Sequence, residues 1–203
     1  FDRCHTIEGR HGTILLDHLL GRVRENDRID LLVPAKLVDV VLDDAGAVRA
    51  AVIEQPDGSR EEIETPAVLL ATNGYGADRG MIAKHCPDIA AAVYHGSETS
   101  RGDALRIGER LGARSDFLDA YQGHGALAQR TSTLVGWATI MHGGIMVDTT
   151  GRRFGDESTV YSEYGPQLAA RPGATGWIIL DQRVHDLCLP FTDFRQTVDG
   201  GAD

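Results

Sequence analysis

The chain has 203 residues, 42% of them hydrophobic and 25% charged, with a formal net charge of -10 and a sequence pI near 5.2. That balance is ordinary for a globular protein able to bury a core. The acidic surplus without clustered Lys or Arg excludes a nucleic-acid backbone as partner, and apolar runs no longer than residues 67–71 exclude a membrane-spanning segment.

Residues 13–24 place Ile14, Leu15, Leu19, Leu20 and Val23 on one broad stripe, with Asp17, His18, Arg22 and Arg24 elsewhere, which predicts an amphipathic helix. Residues 29–33 and 37–42 are β-branched and apolar. Asp43-Asp44-Ala45-Gly46 supplies turn residues before 48–55, so a hairpin is expected. A second turn at Pro56-Asp57-Gly58 leads to the alternating residues 60–65. The continuous apolar run 67–71 then reads as a buried central strand. Beyond residue 77 the character changes to short helices over 79–85 and 103–111, the second stopped by Gly112, and a domain boundary is expected there. Residues 144–148 and 177–180 read as strands, residues 113–142 carry no periodicity that assigns them, and the tail from 197 to 203 is expected to fray.

Cys4, Cys86 and Cys188 lie far apart, which fits a reducing compartment, the cytoplasm, better than a disulfide framework. Cys4-His5 and His85-Cys86 lack the spacing of a metal site, so no metal is expected. Asp43-Asp44 and Glu61-Glu62 adjoin turns and are expected to face water. Ser97, Ser100 and Ser158 lack the strand-turn-helix setting of a nucleophile elbow.

Two stretches carry more. Leu70-Ala71-Thr72-Asn73-Gly74-Tyr75-Gly76 is a strand exit into a glycine turn, where a backbone without Cβ atoms can approach a flat group closely. Gly151-Arg152-Arg153-Phe154-Gly155-Asp156-Glu157 combines a hairpin turn, two guanidinium groups, a ring and a carboxylate, and an Arg153–Glu157 pair suffices to give it a structural role.

Taken in order with Ser100-Arg101-Gly102-Asp103, Leu111-Gly112-Ala113 and Gln122-Gly123-His124, these blocks resemble the fumarate reductase and ketosteroid dehydrogenase superfamily of flavoproteins over residues 10–181. The resemblance implies FAD as cofactor. It also implies an α/β plus α+β fold, in which residues 1–77 form the later part of a Rossmann-like FAD-binding domain and residues 78–203 a capping, substrate-binding domain.

By the same resemblance Ala71, Thr72 and Gly74 match the turn near the flavin, with Asn73 where the family usually has Gly, and Gly102 and Asp103 match a Gly-Asp pair beside the isoalloxazine ring. The plainer reading of Asp103 is a helix cap. His124 matches a histidine that hydrogen-bonds a substrate carboxylate, although Gly125 stands where a proline is usual and the Thr-Glu pair expected after it is missing. Four residues past Glu157 the branches differ. Fumarate reductases carry a proton-donating arginine there and ketosteroid dehydrogenases a tyrosine; this chain has Tyr161, preceded by Val160 instead of the frequent proline. A phenol can donate to a carbonyl or pass a proton in a water-poor site.

The expected activity is hydride transfer between flavin N5 and a carbon-carbon bond next to a carbonyl or carboxylate of a small-molecule substrate, with Tyr161 and His124 as catalytic residues. A dicarboxylate reductase, or an isolated capping lobe without flavin, are the alternatives. The chain opens on Phe1 and has no glycine nucleotide-binding fingerprint upstream of Val68, so it is expected to be an internal piece whose N- and C-terminal parts lie elsewhere in the same polypeptide.

Overall fold

A computed structural model of the chain describes residue 7 and residues 12–201. Phe1, Cys4, His5 and Arg10 lie outside the described residues. The fold mixes helix and sheet and divides into two compact units, Phe1–Ala71 and Thr72–Asp203.

In the first unit the amphipathic stripe forms helix α1 (Gly12–Arg24), none of whose residues is buried among the described ones. The predicted hairpin is β1 (Lys36–Leu42) and β2 (Val48–Glu54), extended by β3 (Arg60–Glu64) into an antiparallel sheet of order β1-β2-β3. Its turns form because Asp43 Oδ1 accepts the Ala45 and Ala47 N–H groups at 2.9 Å, and Gly46 and Gly58 take φ of +81° and +82°. Val40, Ala50 and Ile53 are buried, while Arg60–Glu54 and Arg49–Glu62 pairs at 2.9 Å bridge the strands. Glu62 thus has a cross-strand partner as well as water.

Two expected strands do not form. Residues 29–33 and 67–71 pair with no strand among the described residues, and Val33 and Leu69 are 75% and 89% exposed. An apolar run becomes a strand only where a neighbouring backbone satisfies its N–H and C=O groups.

The second unit holds α2 (Arg79–His85), α3 (Asp103–Arg110), α4 (Ala138–Met141), β4 (Ile145–Val147), α5 (Tyr161–Ala169), β5 (Trp177–Ile179), α6 (Gln182–Cys188) and α7 (Thr192–Asp199). Asp78 and Asp181 cap α2 and α6, accepting the Met81 and Val184 N–H groups at 2.9 and 2.8 Å. Gly112 stops α3 at φ +75°. The two predicted strands pair with each other, antiparallel, Met146 opposite Ile178.

Three buried clusters organise this unit. Tyr75, Ile82 and Cys86 form one, Ile140, Met146 and Tyr164 the second, and Val184, Cys188 and Phe194 the third. Of the tail expected to fray, residues 197–199 lie in α7, which ends at Asp199, and residues 202 and 203 lie outside the described residues. Phe194 and Thr197 are buried, and the Thr197 hydroxyl shares a 2.6 Å hydrogen bond with Thr133. Phe194, with Phe191 and Val198 packed beside its cluster, and the Thr197–Thr133 hydroxyl pair hold α7 in place.

Among the described residues no group of His, Cys, Asp and Glu is placed to hold a metal ion, and no helix is long and apolar enough to cross a membrane. Cys86 and Cys188 are free and buried.

Candidate active site

Two sets of sequence-predicted residues take shape in the second unit, with Ala71 at the end of the first. One set surrounds the turn that begins at Ala71. Ala71, Thr72, Asn73 and Gly74 are exposed, and Tyr75 turns inward to anchor the loop. The Tyr75 hydroxyl donates to the Leu118 carbonyl, and burial with the neighbouring Cys86 thiol pushes its pKa up to about 12. Asn73 adopts φ +66°, a left-handed backbone that glycine enters freely and asparagine tolerates best among the other residues. Its side chain accepts from the Gly74 N–H at 2.8 Å and donates to the Ser100 hydroxyl at 3.4 Å. The departure from glycine at this position therefore preserves the turn.

The Ser100–Gly102 loop docks on this turn through two backbone hydrogen bonds. Ala77 N donates to Ser100 O at 2.9 Å, and Gly102 N to Gly74 O at 3.2 Å. Gly102 sits at φ +77°, and a Cβ there would stand 2.7 Å from Met81 Sδ and 3.0 Å from Tyr75 Cβ, so only glycine lets the loop close on the turn. By contrast a Cβ on Gly74 would meet nothing within 4 Å. The space beside Gly74 at this exposed turn is therefore open.

Asp103 does not cap α3. Gly102 occupies the N-cap position, and Asp103 is the first helical residue, 3.4 Å from Arg106, where its charge complements the helix N-terminus. Arg106 also pairs with Asp78, the cap of α2, and so ties the two helices together.

The second set joins residues far apart in the chain. His124 and Tyr161 lie ring against ring, centroids 5.2 Å apart and planes 32° from parallel, and the Gln122 side-chain amide donates to the Tyr161 hydroxyl. A glycine crossing brings them there. Gly123 and Gly125 run over α5 at Gly165: a Cβ on Gly165 would lie 3.1 Å from the His124 nitrogen, and one on Gly123 3.1 Å from the Ser162 carbonyl oxygen. Pro166 lacks the N–H that would otherwise bond Ser162 O inside the helix, which leaves that carbonyl facing the crossing segment.

His124 is half-buried, and its Nδ1 is fully buried without a hydrogen-bond partner. Burial lowers its pKa from the usual histidine value, with His95 acting in the same direction and the carboxylate of Asp193 opposing. The imidazole is therefore neutral near pH 7, with one N–H to give and one lone pair to receive. Tyr161 is half-buried at the first position of α5.

The Gly151–Glu157 block is scaffolding that packs on Tyr164 of α5 and on Met146 of β4. Arg153 Nε donates to both Glu157 oxygens at 3.1 and 2.9 Å, and Glu157 also accepts the Met146 N–H at 3.1 Å. Burial works to raise the Glu157 pKa, but the Arg153 bonds and backbone N–H groups outweigh it and hold the carboxyl below its usual range. Phe154 packs against Tyr164 with centroids 5.5 Å apart, and Gly155 is required because a Cβ there would fall 2.4 Å from the Tyr164 ring.

Sequence reasoning singled out His124 and Tyr161, which the structure brings together, but gave no role to Gln122, Gly123, Gly125 or Gly165. The signal was the Gly165-Pro166 pair within a helical stretch, two residues that are poor helix formers and therefore mark a packing requirement.

A family profile describing an FAD binding domain matches residues 3–194. A probable fumarate reductase of Shewanella frigidimarina is 27% identical over 186 residues, covering 91% of this chain and 32% of its own length. The 3-oxosteroid 1-dehydrogenase of Mycobacterium tuberculosis is 31% identical over 136 residues, 59% of this chain and 23% of that one. The open conformation of a flavocytochrome c3 fumarate reductase matches with a TM-score of 0.79 at 26% identity, over 98% of this chain and 35% of that chain. The chain spans about a third of the length of the fumarate reductases it resembles. Matched along nearly its whole length, the chain belongs to the FAD-binding domain family, and its relatives include fumarate reductases and 3-oxosteroid dehydrogenases.

Proposed function

We propose that the full-length protein is an FAD-dependent oxidoreductase that adds or removes hydrogen across a carbon-carbon bond next to a carbonyl or carboxylate. In such enzymes bound flavin supplies hydride exchange, and the protein supplies orientation, exclusion of water and an acid or base. Residues 1–77 serve as the later part of the FAD-binding domain and residues 78–203 as the capping domain. Ala71, Thr72 and Gly74 form the turn that meets the flavin, and the open space above Gly74 supports that reading. Gly102 and Asp103 hold the adjoining loop. Two free, buried cysteines support a reducing compartment such as the cytoplasm.

The observation that carries the reading is the His124–Tyr161 pair. Tyr161, a phenol at the start of α5, gives its proton to the substrate carbon next to the one that receives hydride, or takes it in the reverse direction. His124, held neutral, donates a hydrogen bond to the substrate oxygen and polarises the bond to be reduced. In the full-length protein, Tyr161→Phe is expected to lower turnover at least ~100-fold with fumarate or 4-androstene-3,17-dione, whichever the wild type accepts. Unchanged turnover removes Tyr161 from the chemistry.

A dicarboxylate substrate is the second reading, favoured by the wider coverage of this chain by a fumarate reductase, 91% against 59% for the steroid dehydrogenase. Tyr161, in the place of an arginine, favours an uncharged carbonyl instead. Comparing the same two substrates decides between them.

A further inference from the structure

The segment that carries His124 to Tyr161 is anchored on both sides of Gln122. Tyr121 packs against the Tyr75–Ile82–Cys86 cluster and donates from its hydroxyl to Asp88 Oδ2 at 2.7 Å. Gly123 is pressed onto α5, its would-be Cβ 3.1 Å from Ser162 O and 3.5 Å from Pro166 Cδ. With its neighbours fixed, Gln122 has little freedom except in its own side chain, and that side chain ends on the Tyr161 hydroxyl, 39 residues away in the chain.

An amide N–H can only donate. The phenol oxygen is therefore the acceptor in this bond, and its own proton is left for another partner. We propose that Gln122 is a positioning residue for Tyr161: its amide holds the phenol oxygen from the protein side, so that the hydroxyl proton is presented to the substrate. The proposal rests on the reading of Tyr161 as the group that moves a proton.

The proton transfer balances between Tyr161 and the substrate, and reduced flavin in the full-length protein would supply the hydride. When hydride has added to one carbon, the electron pair displaced onto the neighbouring carbon forms a new C–H bond with the Tyr161 proton. The O–H bond breaks, and its electron pair stays on the phenol oxygen, where the Gln122 N–H stabilises the charge. In the dehydrogenating direction the same oxygen, held by the same N–H, receives the proton from carbon.

The test uses the full-length protein with its flavin and tyrosine labelled at Cζ with carbon-13, the Tyr161 resonance being identified by its loss in Tyr161→Phe. In Gln122→Leu that resonance is expected to move, because the oxygen loses its donor, while turnover of fumarate or 4-androstene-3,17-dione falls about tenfold with KM unchanged. Gln122→Glu distinguishes positioning from support. Near pH 7 the ionised carboxylate only accepts and draws the Tyr161 proton to itself; protonated, it can donate again. Turnover relative to wild type is therefore expected to recover as pH falls toward about 4.3. Should Gln122→Leu fail to fold, Gln122→Asn, one methylene too short to reach, supplies the same comparison. An unmoved Cζ resonance, turnover within twofold of wild type, or a Gln122→Glu profile without recovery in acid overturns the proposal. Full turnover in Tyr161→Phe would instead sink the proton-transfer reading on which it rests, while the resonance still reports whether Gln122 holds the phenol.

Discussion

Gly165 and His124 meet backbone to backbone: a Cβ on Gly165 would stand 3.1 Å from the His124 nitrogen and 3.3 Å from the Gly123 carbonyl carbon. Two rigid backbones cannot yield as a side-chain tip can. Gly165→Ala is expected to cost about 1–3 kcal/mol in urea unfolding and to separate the His124 and Tyr161 rings. Gly136→Ala, where a Cβ meets nothing within 4 Å, is the control and stays within about 0.5 kcal/mol of wild type. Equal losses at the two positions would mean that the crossing is loose.

His124 makes stability depend on pH above the carboxylate range. Burial depresses its folded-state pKa below the unfolded value of about 6.5, so as pH falls through that value the unfolded chain takes up a proton that the folded chain resists. Stability is expected to drop between pH 7.5 and 5.5. Urea midpoints of wild type and His124→Gln at these two pH values check this, the variant losing less; parallel losses would show that the imidazole protonates freely in the fold.

Glu157 acts in a lower window. Its folded-state pKa is held below the unfolded one, so its contribution is complete above the unfolded value, about 4.3, and is lost as pH falls through the folded value. Glu157→Gln removes the charge-assisted bonds to Arg153 and is expected to destabilise by about 1–2 kcal/mol at pH 7. The deficit should be the same at pH 5.5 and shrink only in stronger acid. A deficit already gone at pH 5.5 would show that the pairing does not depress the carboxyl.

Asn73 tests the turn proposed to meet the flavin. At φ +66° a glycine is accommodated, and a β-branched residue is strained. Asn73→Gly should leave the melting temperature of the full-length protein nearly unchanged, and Asn73→Val should cost about 1–3 kcal/mol and weaken flavin retention. Equal tolerance of valine would show that the turn relaxes out of the left-handed region.

Flavin itself gives the last prediction. Residues 1–203 expressed alone are expected to purify colourless and the full-length protein yellow, because a chain covering about a third of its fumarate reductase relatives has no glycine fingerprint upstream of Val68 to hold the pyrophosphate. The visible absorption spectrum of the two purified proteins reads this directly. A yellow short chain would refute the expectation.

Elements set by local rules could be read from the residues alone. The β1-β2-β3 meander follows from alternation and from Asp43, Gly46 and Gly58 at its turns, and α2 and α3 follow from Asp78 as a cap and Gly112 as a stop. Each depends on neighbours a few positions away. The run 67–71 differs: its apolar composition suits a central strand, but pairing needs partner strands that the run itself cannot specify, and none pairs with it among the described residues. The same limit hid the tail, where Thr197 is held by Thr133 across 64 positions.

The amino-acid sequence by itself determined which chemistry-bearing side chains the protein owns, and the order of blocks that marks its family. Only the tertiary structure decided that Gln122 donates to Tyr161, that His124 is neutral beside it, and that Asp103 starts α3 without capping it. The physical reason is one of range. Turn and cap preferences act through bonds to adjacent residues, whereas the site depends on a close approach of two distant backbones that is possible only where Gly123, Gly125 and Gly165 leave out their side chains.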